Sequence, residues 1–341
     1  MNLSACERIL VVKPSSLGDI VHTLPAAAAI HRAAPDAKID WLVNTEWKPL
    51  LEGVPFLDRI LEFPRREFRG LSGLFRARSW VGQTLGSAAY DLALDFQGLF
   101  RSAYLARRSG GCSVGFRRSR EGARWFYDRS VEVSDWDRCH AVDRNLSLAS
   151  ALGAAEEAPC FPLPPGTAPT DLPPLPEAPV VLHPFSRGAG KSLSIREVRE
   201  LTDLLAPHPV VVVGTPAGTP QDGWSEHVVD LSGKTSLSEL IYVLRLAAWT
   251  VSVDSGPMHL ASGITDRVLS IHTWSNPAMV GPYPANAWIF RESRLVRVGD
   301  LDPAEFPERR DLAARYDSRD RLLETDDIEA IAAFLLKQIA R

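Results

Sequence analysis

A chain of 341 residues with 45% hydrophobic and 23% charged residues is long enough for two globular domains, and its net charge of −4 argues against a general polyanion binder. Four cysteines, Cys6, Cys112, Cys139 and Cys160, are scattered without CxxC spacing, which excludes a disulfide scaffold and a cysteine zinc site and suits a reducing cytosol. No apolar run reaches the roughly 18 residues of a membrane span, and the first strand begins at Ile9 without a charged leader and apolar core, so a cytoplasmic protein with no secretory signal is expected.

The first predicted strand, Ile9–Lys13, runs through Pro14-Ser15-Ser16-Leu17-Gly18-Asp19 into an apolar helix over Ile20–Arg32. This loop is not GxGxxG, so a dinucleotide fingerprint is absent. Asp19 has two readings: a helix-start acid favoured by the macrodipole, or a general base that takes a proton from a hydroxyl. Strands Ile39–Val43 and Leu92–Asp95 follow, then a helix over Leu99–Arg108. From Arg101 to Arg124 the chain holds Arg101, Arg107, Arg108, Arg117, Arg118, Arg120 and Arg124 against the single acid Glu121, with Phe100, Tyr104, Phe116, Trp125, Phe126 and Tyr127 in or beside the stretch. An anionic acceptor site and a solvated basic face both fit this pattern. Nucleic acid fits poorly, because the chain is net acidic and carries no nucleic-acid motif.

Nine prolines between Gly153 and Pro179 rule out a regular helix or strand and predict a stiff, extended connector. Beyond it the alternation restarts, with strands Val180–His183, Val210–Gly214, Thr250–Asp254 and Val268–His272 and helices Ile195–Leu205, Leu237–Ala247 and Met258–Ser262. Continuous apolar strands separated by helices predict parallel sheets covered on both faces, once in each half. The expected plan is a first domain over 1–155, a linker over 156–179 and a second domain over 180–325. A C-terminal helix within 326–341 is free to pack back on the first domain. Two doubly wound domains of this kind leave a ligand cleft at the carboxyl ends of their strands.

Two loops of the second half carry candidate chemistry. Ser186-Arg187-Gly188-Ala189-Gly190-Lys191-Ser192 ends like a P-loop, but Phe185 stands where that motif needs its first glycine, so the P-loop is rejected. Ser186, Arg187 and Lys191 either clamp a diphosphate or are solvated loop residues. Val253-Asp254-Ser255-Gly256-Pro257-Met258-His259 turns from a buried strand into a helix, and a Ser-Gly turn there leaves backbone N–H groups aimed at a phosphate or diphosphate. The plainer alternative is a helix capped by Ser255. The histidines show no metal-ligand spacing, and there is no GxSxG nucleophile elbow.

Taken together, Ser15-Ser16-Leu17-Gly18-Asp19-Ile20 with His22-Thr23-Leu24-Pro25, Tyr90-Asp91 with Asp95-Phe96-Gln97-Gly98-Leu99, Leu231-Ser232-Gly233-Lys234-Thr235-Ser236-Leu237 and Asp254-Ser255-Gly256-Pro257-Met258-His259-Leu260 resemble the family 9 glycosyltransferases. These are the ADP-heptose:lipopolysaccharide heptosyltransferases of Gram-negative bacteria. Gly115-Phe116, Ser119-Arg120-Glu121-Gly122, Phe126-Tyr127-Asp128-Arg129 and His140-Ala141-Val142-Asp143-Arg144-Asn145 resemble the type I members more than type II.

The resemblance implies a GT-B fold, α/β with two Rossmann-like doubly wound domains facing a cleft. It also implies inverting transfer of heptose, without a metal or other cofactor, to a Kdo (3-deoxy-octulosonate) residue of the lipopolysaccharide inner core. By the family pattern Asp19 is the base. Lys191 assists the leaving phosphate, and Ser186, Lys191, Asp254, Ser255, Gly256 and His259 hold the ADP-heptose donor. Ser15, Ser16, Gly18, Arg117, Arg120, His140 and Arg144 face the Kdo–lipid A acceptor. A monomer with peripheral contact to the inner face of the cytoplasmic membrane fits such an acceptor.

Two departures bear on the donor. Gly214–Asp222 lacks the glutamate that holds the ribose in the family, and His272-Thr273-Trp274-Ser275-Asn276-Pro277 replaces a G-P-T-D-P-like turn. A related GT-B glycosyltransferase with another nucleotide sugar therefore stays open as an alternative, and behind it a nucleotide-sugar epimerase and a non-catalytic binding protein.

Overall fold

The computed structural model describes residues 3–68, 70–186, 189–215, 223–308 and 322–340. The chain divides into two compact units, Met1–Pro164 and Pro165–Arg341, with the boundary inside the proline-rich stretch.

The first unit is built on a six-stranded parallel sheet of order β3-β2-β1-β4-β5-β6, with β1 Arg8–Val12, β2 Lys38–Asn44, β3 Leu57–Phe63, β4 Leu92–Asp95, β5 Cys112–Phe116 and β6 Arg129–Val131. The helices α1 Leu17–Ala33, α2 Gly70–Thr84, α3 Phe100–Arg108 and α4 Ala141–Ser150 alternate with them. β1, β2 and β4 are mainly apolar, with buried Asp40 inside β2 and Asp95 at the end of β4, because both of their faces are covered. β3, β5 and β6 escape a sequence reading. β3 exposes Asp58 and Arg59 at the sheet edge, β5 carries Ser113 and Gly115, and β6 is only three residues long. Ladder pairing rather than local propensity makes them strands.

The second unit repeats the plan in a seven-stranded sheet of order β13-β12-β11-β10-β7-β8-β9. Its strands are β7 Val180–His183, β8 Val210–Val212, β9 Val228–Asp230, β10 Trp249–Val253, β11 Val268–Ile271, β12 Trp288–Arg291 and β13 Arg294–Arg297. All pairings are parallel except the terminal β12–β13 hairpin. Its helices are α5 Ile195–Leu204, α6 Leu237–Leu246, α7 Gly256–Ile264, the short α8 Pro277–Val280 and α9 Thr325–Ile339. Each unit is Rossmann-like, and the architecture is that of the GT-B fold class.

Both ends of the second unit pack on its core. The proline-rich stretch carries no helix or strand over 155–179 and touches α6 at its middle. Thr167 is bonded through its N–H and hydroxyl to Ser238, and a Cβ on Gly166 would sit 2.5 Å from the Tyr242 amide on α6. The sequence left the C-terminal helix free to dock on the first domain, but its apolar stripe is used up in the second core. Ile328, Ile331, Ala332 and Leu335 join Val198 and Leu201 of α5, and Phe334 lies against Trp249 and Trp288 at 5.5 and 4.9 Å between ring centres. Glu197, fully buried at the start of α5, ties this end down by accepting from the Leu322 and Leu323 amides, both at 2.6 Å.

Candidate functional site

In doubly wound sheets, ligands sit beyond the carboxyl ends of the strands where the strand order reverses. In the first unit that point lies between β1 and β4, and in the second between β7 and β10. Most of the residues singled out from sequence collect at these two places.

At the first point, α1 begins with a reciprocal cap: the Ser16 amide and hydroxyl both donate to Asp19 Oδ2, at 2.9 and 2.7 Å. Asp19 is thus the helix-start residue of the plainer reading, yet its side chain stays 49% exposed, so its carboxylate is also open to a ligand. Behind it stands Lys13, almost fully buried, with Nζ 3.9 Å from Asp19 Oδ1 and 2.9 Å from the Phe96 carbonyl. Burial pulls the Lys13 pKa below its ordinary value, opposed by Asp19 and Asp95. Ser15 donates its amide to Gln97 Oε1 at 3.3 Å, joining this loop to the one after β4.

That second loop is organised by Asp95. Its carboxylate accepts from the Gln97 and Gly98 amides, from Ser102 Oγ at 2.8 Å and from Tyr127 Oη at 2.7 Å, while complete burial raises its pKa. Tyr127 reaches it across Gly115, where a Cβ would be 2.3 Å from the phenol ring. The Asp95 and Gly115 signatures are therefore one structural device.

α4 packs on α1, and Asn145 fastens the pair by donating to the His22 carbonyl at 2.9 Å and Thr23 Oγ1 at 3.2 Å. This brings His140, whose Nδ1 caps the Val142 amide at 3.1 Å, edge-on to His22 at 5.3 Å. Arg144 lies over Trp136 at 5.2 Å and is close enough to Asp19 for their charges to interact; burial lowers its pKa. Arg120 is exposed, is held through its amide to the Gly98 carbonyl, and is felt electrostatically at Lys13. Asp19, Ser15, Ser16, Gly18, Arg120, His140 and Arg144 therefore share one neighbourhood.

Arg117 does not join them: it is exposed and paired with Glu132 at 3.1 Å. Arg107 and Arg118 are similarly taken up by Asp128 and Asp137. Three of the seven arginines of 101–124 are thus balanced by acids that follow within the next residues of the chain.

At the second point, Lys191 ends a 3-10 turn and puts Nζ 2.5 Å from Asp254 Oδ2 and 3.4 Å from the Asp254 carbonyl. The Trp274 ring centre is 3.9 Å from the same nitrogen. Ser275 donates to Asp254 Oδ2 at 2.5 Å and meets His272 Nδ1 at 2.9 Å. Asp254 is held down at a pKa of about 2: burial opposes ionisation, but His272, Lys191 and Ser275 outweigh it. Burial takes His272 to about 4, so the imidazole is neutral at pH 7 and Lys191 and Ser275 keep the carboxylate ionised there.

His183, also lowered to about 4 by burial, has Nδ1 3.1 Å from Ser255 Oγ and 3.3 Å from Ser252 Oγ. Ser255 stands at the N-cap of α7 but turns its hydroxyl to His183 and the Val253 carbonyl and makes no side-chain cap, so the plainer alternative of a helix capped by Ser255 is not what forms here. Gly256 opens α7, and His259 lies one turn in, buried and felt at His272. Ser186 closes its loop through Ser192, with amide to Oγ at 2.8 Å. Arg187, Gly188 and the 216–222 stretch, where the family glutamate is missing, lie outside the described residues.

Sequence reasoning gave Lys13, His183, His272 and Ser275 no role. His272, Trp274 and Ser275 did carry a signal, the departure from the family turn, and that turn is what surrounds Lys191.

The family model described as "Glycosyltransferase family 9 (heptosyltransferase)" matches residues 78–298. Lipopolysaccharide heptosyltransferase 1 of Escherichia coli (strain K12) is 30% identical over 314 residues, covering 84% of this chain and 94% of its own length. Its namesake in Pseudomonas aeruginosa is 32% identical over 300 residues, 81% of each chain. Among solved structures, E. coli heptosyltransferase WaaC with ADP-2-deoxy-2-fluoro heptose superposes with a TM-score of 0.68 at 25% identity, over 87% of this chain and 96% of that one. WaaC with ADP superposes with a TM-score of 0.72 at 24% identity, over 97% and 99%. With its two phosphate-suited and carboxylate-suited constellations and this match along most of its length, the chain belongs to glycosyltransferase family 9, the heptosyltransferase family, and is a glycosyltransferase.

Proposed function

We propose that this glycosyltransferase moves heptose from ADP-L-glycero-D-manno-heptose to a Kdo residue of the lipopolysaccharide inner core, with inversion and without a metal. The observation that carries the reading is the Lys191–Asp254 pair at the head of α7 beside an uncapped helix N-terminus, a geometry suited to a departing diphosphate. The heptosyltransferase 1 relatives and the WaaC complexes with ADP and an ADP-heptose analogue support the donor and the type of sugar.

In this mechanism the Asp19 carboxylate takes the proton of an acceptor hydroxyl. The hydroxyl oxygen forms a bond to the anomeric carbon from the face opposite the diphosphate, and the bond from that carbon to the diphosphate oxygen breaks. Lys191 and the α7 amides stabilise the charge growing on ADP. Asp254, itself an anion, holds Lys191 rather than touching phosphate. Ser186, Ser255, Gly256 and His259 line the donor site. Arg120, Arg144 and His140 suit the carboxylates of Kdo, with Ser15, Ser16 and Gly18 shaping the loop around Asp19. In this reading a monomer is the acting unit.

Peripheral contact with the inner face of the cytoplasmic membrane belongs to the same reading. Phe100 and Trp125 are 50% and 76% exposed, Phe126 stacks edge-on against Phe100, and Arg124 lies over Trp125 at 4.5 Å. Aromatic rings beside an exposed arginine suit a headgroup layer. Among the described residues no helix is long and apolar enough to cross a membrane.

The test is ADP release from ADP-L-glycero-D-manno-heptose with and without Kdo₂-lipid A, for wild type and Asp19→Ala. Acceptor-dependent release that vanishes in the variant supports the reaction and the base. No release by wild type rejects this donor–acceptor pair and turns the search to other nucleotide sugars.

A further inference from the structure

The surroundings of Lys191 are more closed than a phosphate-binding lysine needs. An ammonium has three N–H bonds. One meets Asp254 Oδ2 at 2.5 Å, a second the Asp254 carbonyl at 3.4 Å, and the face of Trp274 covers the remaining side at 3.9 Å. Neither partner is a loose side chain. Asp254 is fixed through its amide to the Ile271 carbonyl and through its carboxylate by Ser275. Ser275 spends its single proton on Asp254, so it accepts from His272, which must carry its proton on Nδ1. The backbone of Ser275 is gripped in turn by the buried guanidinium of Arg291, which donates to the Ser275 carbonyl at 2.6 Å. On the other side of Trp274, Thr273 donates to the Gly190 carbonyl at 3.0 Å, binding this turn to the loop that carries Lys191. The indole is thus tied on both flanks and held over the amine.

We propose that Trp274 and Ser275 are positioning residues for the leaving diphosphate, Ser275 aiming the Asp254 carboxylate and Trp274 keeping the Lys191 ammonium desolvated and aimed until a diphosphate oxygen takes the place of its π contact. The inference rests on the donor assignment above and adds two residues at the turn where this chain departs from its family. The indole contact is the one to yield, because a cation–π contact is weaker than a charge-assisted hydrogen bond to a carboxylate.

Two measurements separate this clamp from the donor reading. In the ligand-free protein, the rate of reductive methylation at Lys191, followed by peptide mass spectrometry, is expected to rise in Trp274→Leu and Ser275→Ala and to stay near wild type in Trp274→Phe and Ser275→Thr. In calorimetric titration with ADP, Trp274→Leu is expected to weaken binding about tenfold and Trp274→Phe much less, while Trp274→Leu adds nothing in a Lys191→Met background. A purely structural tryptophan gives the same loss with or without Lys191, and that additivity overturns the proposal. So does an unchanged methylation rate in both Trp274→Leu and Ser275→Ala. If wild type binds no ADP the donor reading falls, and the methylation rates alone decide the clamp.

Discussion

Lys13 stands directly behind Asp19: its Nζ lies 3.9 Å from Asp19 Oδ1 while its firm hydrogen bond, at 2.9 Å, goes to the Phe96 carbonyl. The buried lysine stands at the Oδ1 side of the carboxylate, while Oδ2 accepts from the Ser16 amide and hydroxyl. Asp19 is thereby fixed at a helix start with its side chain half exposed.

Asp19→Ala is accordingly expected to lower turnover by about 10²- to 10⁴-fold, the usual worth of a positioned base. ADP affinity should be unchanged, because the nucleotide contacts proposed above all lie in the second unit. Steady-state rates with and without acceptor, together with ADP titration, check this. A variant that turns over normally leaves Asp19 as a helix cap only.

The second unit is expected to be acid-labile well above the carboxylate range. His183 and His272 are both buried and both lowered to about 4. In the unfolded chain each binds a proton near pH 6.5, so between pH 6.5 and 4 the unfolded state holds more protons and stability falls as pH falls. Each histidine is worth about 3 kcal/mol at full effect. Asp254, lowered to about 2, adds a further loss only below about pH 4. Calorimetric melting from pH 7 to 4.5 should show the decline, and His272→Gln should flatten part of it. An unchanged slope in that variant contradicts a buried neutral His272.

What sequence could and could not give follows from the distance between partners. The Asp254–His259 turn was legible because strand, turn and helix are contiguous, and Asp19 because its cap lies three residues away. The neighbours that decide what Lys191 does are Asp254, 63 residues on, and Trp274 beyond it, so no local pattern announced their pairing with it. The same distance effect applies to the arginine stretch. Asp128, Glu132 and Asp137, just beyond Arg124, pair with Arg107, Arg117 and Arg118.

Glu197 shows a carboxylate doing structural rather than chemical work. It caps α5 by accepting from the Ser194 amide and hydroxyl, and it also receives the amides of Leu322 and Leu323 ahead of α9. Glu197→Ala strands several buried donors and is expected to cost about 3 kcal/mol or more, read as a lowered melting temperature and earlier exchange of the α9 amides. Glu197→Gln, which keeps the acceptor oxygen, should lose less. If α9 exchange is the same in wild type and Glu197→Ala, the carboxylate does not anchor the C-terminal helix.

Gly115 offers the sharpest test of how the loop after β4 is built. A methyl group there would stand 2.3 Å from the Tyr127 ring, and the phenol cannot retreat without giving up its 2.7 Å bond to Asp95. Asp95 is wholly buried, so losing one donor leaves its carboxylate less well compensated and pushes its already raised pKa further up. The same carboxylate orders the Gln97 and Gly98 amides, and Gln97 reaches the Ser15 amide beside Asp19. Gly115→Ala is therefore expected to destabilise the protein by about 1–3 kcal/mol through overpacking and to raise the acceptor KM while ADP affinity holds. Tyr127→Phe removes the hydrogen bond without the clash and should reproduce the KM effect with a smaller stability loss. Parallel changes in acceptor and ADP binding in both variants would show general unfolding instead of a local shift of the Asp95 loop.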